Sequence, residues 1–506
     1  MTSTEQDSQQ ETEAREPPRS RQLGNPFSPF LTALYAGAWG LLILQGWEMR
    51  AGSDPAAWLY DPVNTAQRIV TRDLEYAEAN EMPTPSYSVR RALFGTFDEA
   101  LETSIAIQRS TVDSVAFRVG FEDGDYPRHV RANASLAVLL AEAGQLEEAL
   151  EYAEQTLAPE VRDAIHSIYA KGNAGPAMEE AESPNSSDPQ ALEILADAGL
   201  EDWLIERPAI RLLSQLGDDD AASAISQQTL KRGSRWQRRN DALTAVNLLL
   251  VALGAGLLIA VVRQSGQRNP ATRVAVPWSI ELGVAVLIRA DVWRNFYYVA
   301  VAQVGEQFSY PNWLDPFYSW GTLISSLPLL WLVNRHLVAS SPGAFLKTFG
   351  MRASQQRAFS VLANGMGALA IAVLGTTAIA WGTWGLGLER HWAEGLNETL
   401  IWGSTFEVIQ TCADYVFWTP VFEELAFRGL LFYSLRNRYS TWQAAGLSAA
   451  IFSAMHFYSL PGFLMTFWVG LVWAVAFERA RSLWPGILAH SLYNLFFVLG
   501  ILLFYR

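Results

Sequence analysis

The sequence predicts an all-α protein: a polytopic membrane helix bundle of about nine spans carrying an inserted extracytoplasmic helical unit. Three observations predict it. Apolar runs long enough to cross a bilayer crowd the chain from Ala242 to its end, whereas residues 48–240 contain none. Within 48–240 the apolar positions recur at helical spacing among acidic ones, as at Leu146, Ala149, Leu150 and Ala153. The charge is divided in the same way: residues 51–230 hold 32 of the 51 acidic side chains and 12 of the 37 basic ones, a net −20, which leaves +6 on the rest.

The averages conceal this division. Half of the 506 residues are hydrophobic, 12% are aromatic and 17% are charged, yet mean hydropathy is only +0.09 because a polar half dilutes an apolar half. The acidic block argues against nucleic acid as its partner. A single cysteine, Cys412, excludes an intramolecular disulfide and any cysteine zinc cluster.

In chain order, residues 1–29 are expected to form a disordered cytoplasmic tail, since Ser, Thr, Gln, Glu, Pro and Arg dominate them. Residues 30–47 carry no charge and read as a transmembrane anchor. Arg19 and Arg21 precede that run as in a signal peptide, but no clean small-residue cleavage site follows, so an uncleaved anchor is the expectation. Residues 48–240 form the acidic helical domain. Its stretch from Ala134 to Leu157, with Gly144 in the turn, resembles one tetratricopeptide-type hairpin, while fainter echoes at Gly95 and Gly217 keep no constant repeat period. Residues 241–339 hold further transmembrane helices and 340–506 the remaining ones. Spans are expected near 242–262, 276–302, 317–333, 358–384, 402–435, 442–457, 463–480 and 484–504.

Basic loops set the orientation. Arg263, Arg268 and Arg273, then Arg335, Lys347, Arg352 and Arg357, then Arg436 and Arg438, then Arg479 and Arg481 mark every second loop as cytoplasmic. The N-terminus is thereby placed inside and the acidic domain outside. Lys231, Arg232, Arg235, Arg238 and Arg239 stand against this, just before the second span.

The chemistry gathers in the last four spans, where ionisable residues are costly and therefore informative. Glu424 and Arg428 are four apart in TPVFEELAFRGLLF and can pair across one helical turn. Glu423 projects about 100° away without that partner and suits a general base. Pro420, just upstream, is expected to loosen the helix. Phe452 and His456 share one helix face, as do His490 and Asn494. Taken singly, each has a bland reading as a helix clamp or interhelical hydrogen bond. Glu281, Arg289, Asp291, Arg294, Glu407 and Asp414 could line the cavity or pair within the bundle, and pairing is the favoured expectation.

Together, Glu423-Glu424 followed by Arg428, Phe452 to His456 and His490 to Asn494 resemble the motif set of the CAAX prenyl endopeptidase and bacteriocin-processing (CPBP, or Abi) intramembrane proteases, EExxxR, FxxxH and HxxxN/D. The resemblance covers roughly residues 340–506, and Gly429 completes the FRG ending; the acidic domain is foreign to the family. It implies a hydrolase that cuts a peptide bond of a membrane-associated or CAAX-like polypeptide. Glu423 with His456 would activate water, His490 and Asn494 would stabilise the oxyanion, and Glu424 and Arg428 would support the motif helix, with Phe452 part of the motif. Water is expected to enter from the cytoplasmic end, near Arg436. The favoured expectation is catalysis without cofactor, since no HExxH occurs. Zinc on Glu423, His456 and His490 stays open, as do a non-proteolytic scaffold or immunity role and, more remotely, a transporter. The expected partners are the substrate polypeptide, the lipid bilayer and a protein docking on the 48–240 domain. Three Lys against 34 Arg suggest a GC-rich genome, and a bacterial cytoplasmic membrane is the expected location.

Overall fold

In the computed structural model, residues 25–82, 91, 94–118, 126–170, 188–265, 276–308, 312–338, 343–352 and 358–506 are described. Among them the regular structure is helical, without a strand. The expected tail lies almost wholly outside the described residues, as do several members of the basic loops.

Seven helices, Pro62–Asn80, Phe97–Arg118, Tyr126–Glu142, Leu146–Thr156, Pro159–Tyr169, Asp188–Asp197 and Trp203–Gln215, pack around Leu74, Leu139, Leu140, Ile165 and Trp203, all fully buried. The acidic side chains stay outside this apolar centre or are neutralised at its edge. Glu75, wholly buried, meets Arg72 at 3.1 Å, Arg232 at 2.7 Å and the Trp236 indole N–H at 2.9 Å. Gly144 closes the hairpin between Glu142 and Leu146 with φ +77°, a left-handed conformation in which glycine carries no Cβ penalty. The hairpin is therefore present; a repeat array beyond it is not shown.

A single 47-residue helix, Asp219–Ser265, leaves this acidic unit and enters the apolar bundle. In its first half Arg232 also bonds Glu206, Gln237 bonds Asn80 and Asn240 bonds the Tyr76 hydroxyl. Arg239 donates to the Leu503 carbonyl at 2.6 Å. Two members of the basic cluster that stood against the charge rule, Arg232 and Arg239, thus have partners within the chain. In its second half the helix lies against Ala358–Trp384, and the approach is closest at Gly254, where a Cβ would sit 2.2 Å from the Ala370 carbonyl oxygen. Small residues that let two backbones meet are the usual means of joining helices in lipid.

Among the described residues, five helices are long and apolar enough to span a membrane: Pro29–Gly52, Asp219–Ala260, Ala358–Trp384, Leu460–Ala480 and Trp484–Phe504. The other expected spans are helical but less clear-cut. Ile280–Gln307 carries Glu281, Arg289, Asp291 and Arg294; Gly321–His336 and Thr441–Ala454 are short; the segment after Thr405 is broken into α and π turns. The anchor helix Pro29–Gly52 buries none of its residues and leans on Ile280–Gln307. Trp39 donates to Asp291 at 3.0 Å, and the Arg289 guanidinium lies 4.0 Å over the ring of Phe27. Asp291 also pairs with Arg294 at 3.0 Å, Asp414 accepts from Thr322 at 2.9 Å, and Glu407 closes a capping box with Ser404, while Asp291, Arg294 and Asp414 also line cavities, the less favoured alternative.

The acidic unit is fixed to the bundle at one end by residues 391–402. Glu398 accepts the backbone N–H groups of Tyr60 and Asp61 and the Thr65 hydroxyl. His391 reaches Ser110 at 3.0 Å and Asp54 at 3.1 Å. The chain's last helix ends at the same place, where the Tyr505 hydroxyl donates to Asp73.

Two outcomes follow from this packing. Gly254→Ala forces two helices apart and is expected to cost about 1–3 kcal/mol, read as a lower unfolding midpoint in detergent, while Gly256→Ala, with open space at its Cβ, leaves the midpoint unchanged. Burial pushes the Asp73 carboxyl up to about 7, the Tyr505 hydrogen bond offsetting only part of this. An acid with a raised folded pKa holds its proton longer in the folded state, so stability falls as pH rises from the ordinary carboxylate range through about 7. Unfolding midpoints are accordingly higher at acidic than at alkaline pH, and Asp73→Asn flattens that dependence.

Candidate active site

The motif helix begins with α turns at Thr405–Ala413, widens to π turns at Asp414–Trp418, tightens over Thr419–Glu423 and widens again over Glu424–Phe432. π turns are rare and tend to occur at functional sites. Pro420 supplies a local reason for the first widening. The Thr419 N–H bonds back to the Asp414 carbonyl five residues earlier. Continued by one residue, that pattern would pair the Tyr415 carbonyl with position 420, where proline has no N–H. Asn494 provides the missing donor, its Nδ2 lying 2.8 Å from the Tyr415 oxygen.

One turn on, Glu424 and Arg428 are almost completely buried and pair at 3.1 Å. A buried charge needs such a partner, because desolvation costs several kcal/mol per ion. Arg428 also donates to the Gly470 carbonyl at 3.3 Å and lies 4.5 Å over the ring of Phe452. Phe452 in turn meets Phe427 and the His456 imidazole edge-on, with ring centroids 4.9 and 4.8 Å away. The aromatic residue four before His456 is thus the packed link between the cation and the histidine. Gly486 lets the last helix approach Glu424: a Cβ there would sit 2.9 Å from its carboxylate.

His490, on that last helix, is held by Glu424, with Nδ1 3.1 Å from Oε1. A carboxylate only accepts, so Nδ1 carries a proton. The other ring nitrogen, Nε2, stands 3.7 Å from Glu423. The His456 Nδ1 donates to the Phe452 carbonyl at 2.7 Å, which leaves Nε2 as the free face of that ring. Two cavities, of about 240 and 530 Å³, share Glu423, His456 and Thr419 in their walls. The smaller is lined also by Asp291, Arg294 and Thr322. The larger takes in Phe452, His490 and Asn494, and it reaches Arg390 and Gly395 beside the acidic unit. It therefore extends toward that end of the bundle, and Arg436, beside which water entry was expected, is not among its lining residues. Arg436 is itself closed off, buried against Glu478 at 3.1 Å.

The structure thus brings all seven motif residues into one neighbourhood. Among the described residues no three His, Cys, Asp or Glu side chains converge as metal ligands do. Three contributors escaped the sequence reading. Trp473 stacks on the His490 ring at 6.0 Å, Tyr415 offers the carbonyl that holds Asn494, and Arg390 stands at the cavity rim. The proline at 420 carried a signal for the second, whereas an apolar-looking Trp in an apolar helix carried none for the first.

Residues 402–496 match the family model described as Type II CAAX prenyl endopeptidase Rce1-like. No curated protein and no solved structure matches the chain. The matched segment contains Glu423, Glu424, Arg428, Phe452, His456, His490 and Asn494, and over it the chain is similar to the Rce1-like CAAX prenyl endopeptidases, as the motif resemblance implied.

Proposed function

We propose that the chain is an intramembrane endopeptidase of nine spans, with its N-terminus in the cytoplasm and its acidic unit outside a bacterial cytoplasmic membrane. The observation that carries the enzymatic reading is the shared wall of the two cavities: Glu423 and His456 face both, so a polypeptide threaded from one into the other would pass its carbonyl over them. The larger cavity, lined by Met465, Val469, Trp473 and Phe497, suits apolar side chains of a membrane-associated or CAAX-like substrate.

In this reading Glu423 takes a proton from water as the oxygen adds to the carbonyl carbon, and the unprotonated Nε2 of His456 orients that water. The developing oxyanion is met by His490 from Nε2, in the form that carries both ring protons, and by the amide hydrogen of Asn494 not given to Tyr415. Glu423 then returns its proton to the departing amine as the C–N bond breaks, leaving a carboxylic acid and an amine. Glu424 and Arg428 hold His490 and the motif helix. No step is assigned to a metal.

The test uses the full chain in detergent with a farnesylated peptide ending in a CAAX tail, its unprenylated counterpart and a membrane-spanning peptide. Glu423→Gln and His456→Ala are expected to lower cleavage by about 10²–10⁴-fold, with EDTA having no effect. Loss on EDTA treatment and return with zinc would restore the metal reading, and full cleavage by Glu423→Gln would overturn the mechanism.

A further inference from the structure

Serine caps three helices around the site, and one of them behaves differently. Ser404 and Ser440 each close a capping box with the residue three further on. Ser459, which opens Leu460–Ala480, makes no cap bond to its helix. Its hydroxyl donates instead to Glu394 Oε2 at 2.9 Å, and its N–H to Oε1 at 2.5 Å. An N-cap serine is worth about 1 kcal/mol to a helix, so a local rule is broken here in favour of a distant carboxylate. Such departures mark functional or strained positions.

Ser459 is three residues past His456, and the link between them is constrained at Phe457 as well as at Ser459. Phe457 holds φ +55°, an uncommon conformation for a bulky residue. Its ring fills the notch left by Gly46 of the anchor helix, where a Cβ would lie 2.4 Å from Cζ, and it meets Trp47 edge-on at 5.9 Å. One helical turn beyond Gly46, Arg50 pairs with Glu394 at 3.2 Å. Glu394 is nearly fully buried, and Arg390 approaches its carboxylate at 3.7 Å while donating to its carbonyl at 2.8 Å. Anchor helix, cavity rim and His456 loop therefore converge on one carboxylate, which lies outside the segment matched to the family.

We propose that Glu394 is a positioning residue for His456: through Ser459 and Arg50 it holds the 455–459 loop so that the imidazole faces the cavity shared with Glu423. The proposal deepens the peptidase reading and rests on it for its consequence in catalysis, though not for the geometry. The carboxylate ties the anchor helix to the loop through polar bonds, beside the apolar contact that Phe457 makes with Gly46 and Trp47.

The test is made on the full chain in detergent with ¹⁵N-labelled histidine, comparing Glu394→Gln, Ser459→Ala and Glu398→Gln. Glu398 serves as control because it binds the acidic unit through Tyr60, Asp61 and Thr65. Glu394→Gln and Ser459→Ala are expected to shift or broaden the His456 Nδ1–H resonance while His129 and His166, in the acidic unit, stay in place. Cleavage of the farnesylated peptide is expected to lose between about tenfold and a hundredfold in kcat, with KM little changed. Glu398→Gln leaves the His456 resonance where it is. An unmoved His456 resonance in folded Glu394→Gln and Ser459→Ala would overturn the proposal, as would an equal shift in Glu398→Gln. If the wild type cuts none of the peptides, the peptidase reading fails by that result, and the resonances still decide the role of Glu394.

Discussion

A carboxylate placed in an apolar bundle has to be answered by a charge, and the buried contact between Glu424 and Arg428 is the point on which the rest of this site depends. Arg428 needs further partners once it is there, and it finds the Gly470 carbonyl and the face of Phe452 on two neighbouring helices. Glu424 has an oxygen to share with His490 on a third. One ion pair thus fixes the relative placement of four helices. Glu423, its neighbour in sequence, inherits a defined position from that framework without being consumed by it.

The site itself was largely legible in the sequence, because intramembrane Glu, Arg, His and Asn stand out where almost every neighbour is apolar. Spacing gave the Glu424–Arg428 contact directly, since residues four apart share a helix face. The all-helical class and the separation of acidic unit from bundle were legible for a similar reason: periodicity and charge change together near residue 240. The number of spans was less so, because Ile280–Gln307 carries five charged residues that read equally as a membrane helix with internal pairs or as a partly polar one.

Other features were hidden because they depend on tertiary geometry. The π turns have no code of their own; Pro420 hints at one, but the donor that replaces its N–H sits on Asn494, 74 positions away. The same holds for the direction in which the larger cavity runs. Counting residues along the motif helix pointed toward Arg436, whereas the larger cavity is lined by Arg390 and Gly395, in a segment whose sequence looked like an ordinary polar connection. The partners of Arg232 and Arg239, in the basic cluster before the second span, were hidden for the same reason.

The helix Asp219–Ser265 has a mechanical meaning besides its packing. At about 1.5 Å per residue it is a shaft roughly 70 Å long, gripped by the acidic unit along one half and by the apolar helices along the other. Each residue added or removed between Asn240 and Gly254 turns one grip against the other by about 100°. The residues around Glu398 and His391, which dock the same unit by a separate route, tolerate no such rotation. The length of this stretch is therefore a phase setting: substitutions on its surface are cheap, whereas a single insertion or deletion would unseat the acidic unit from the rim of the larger cavity.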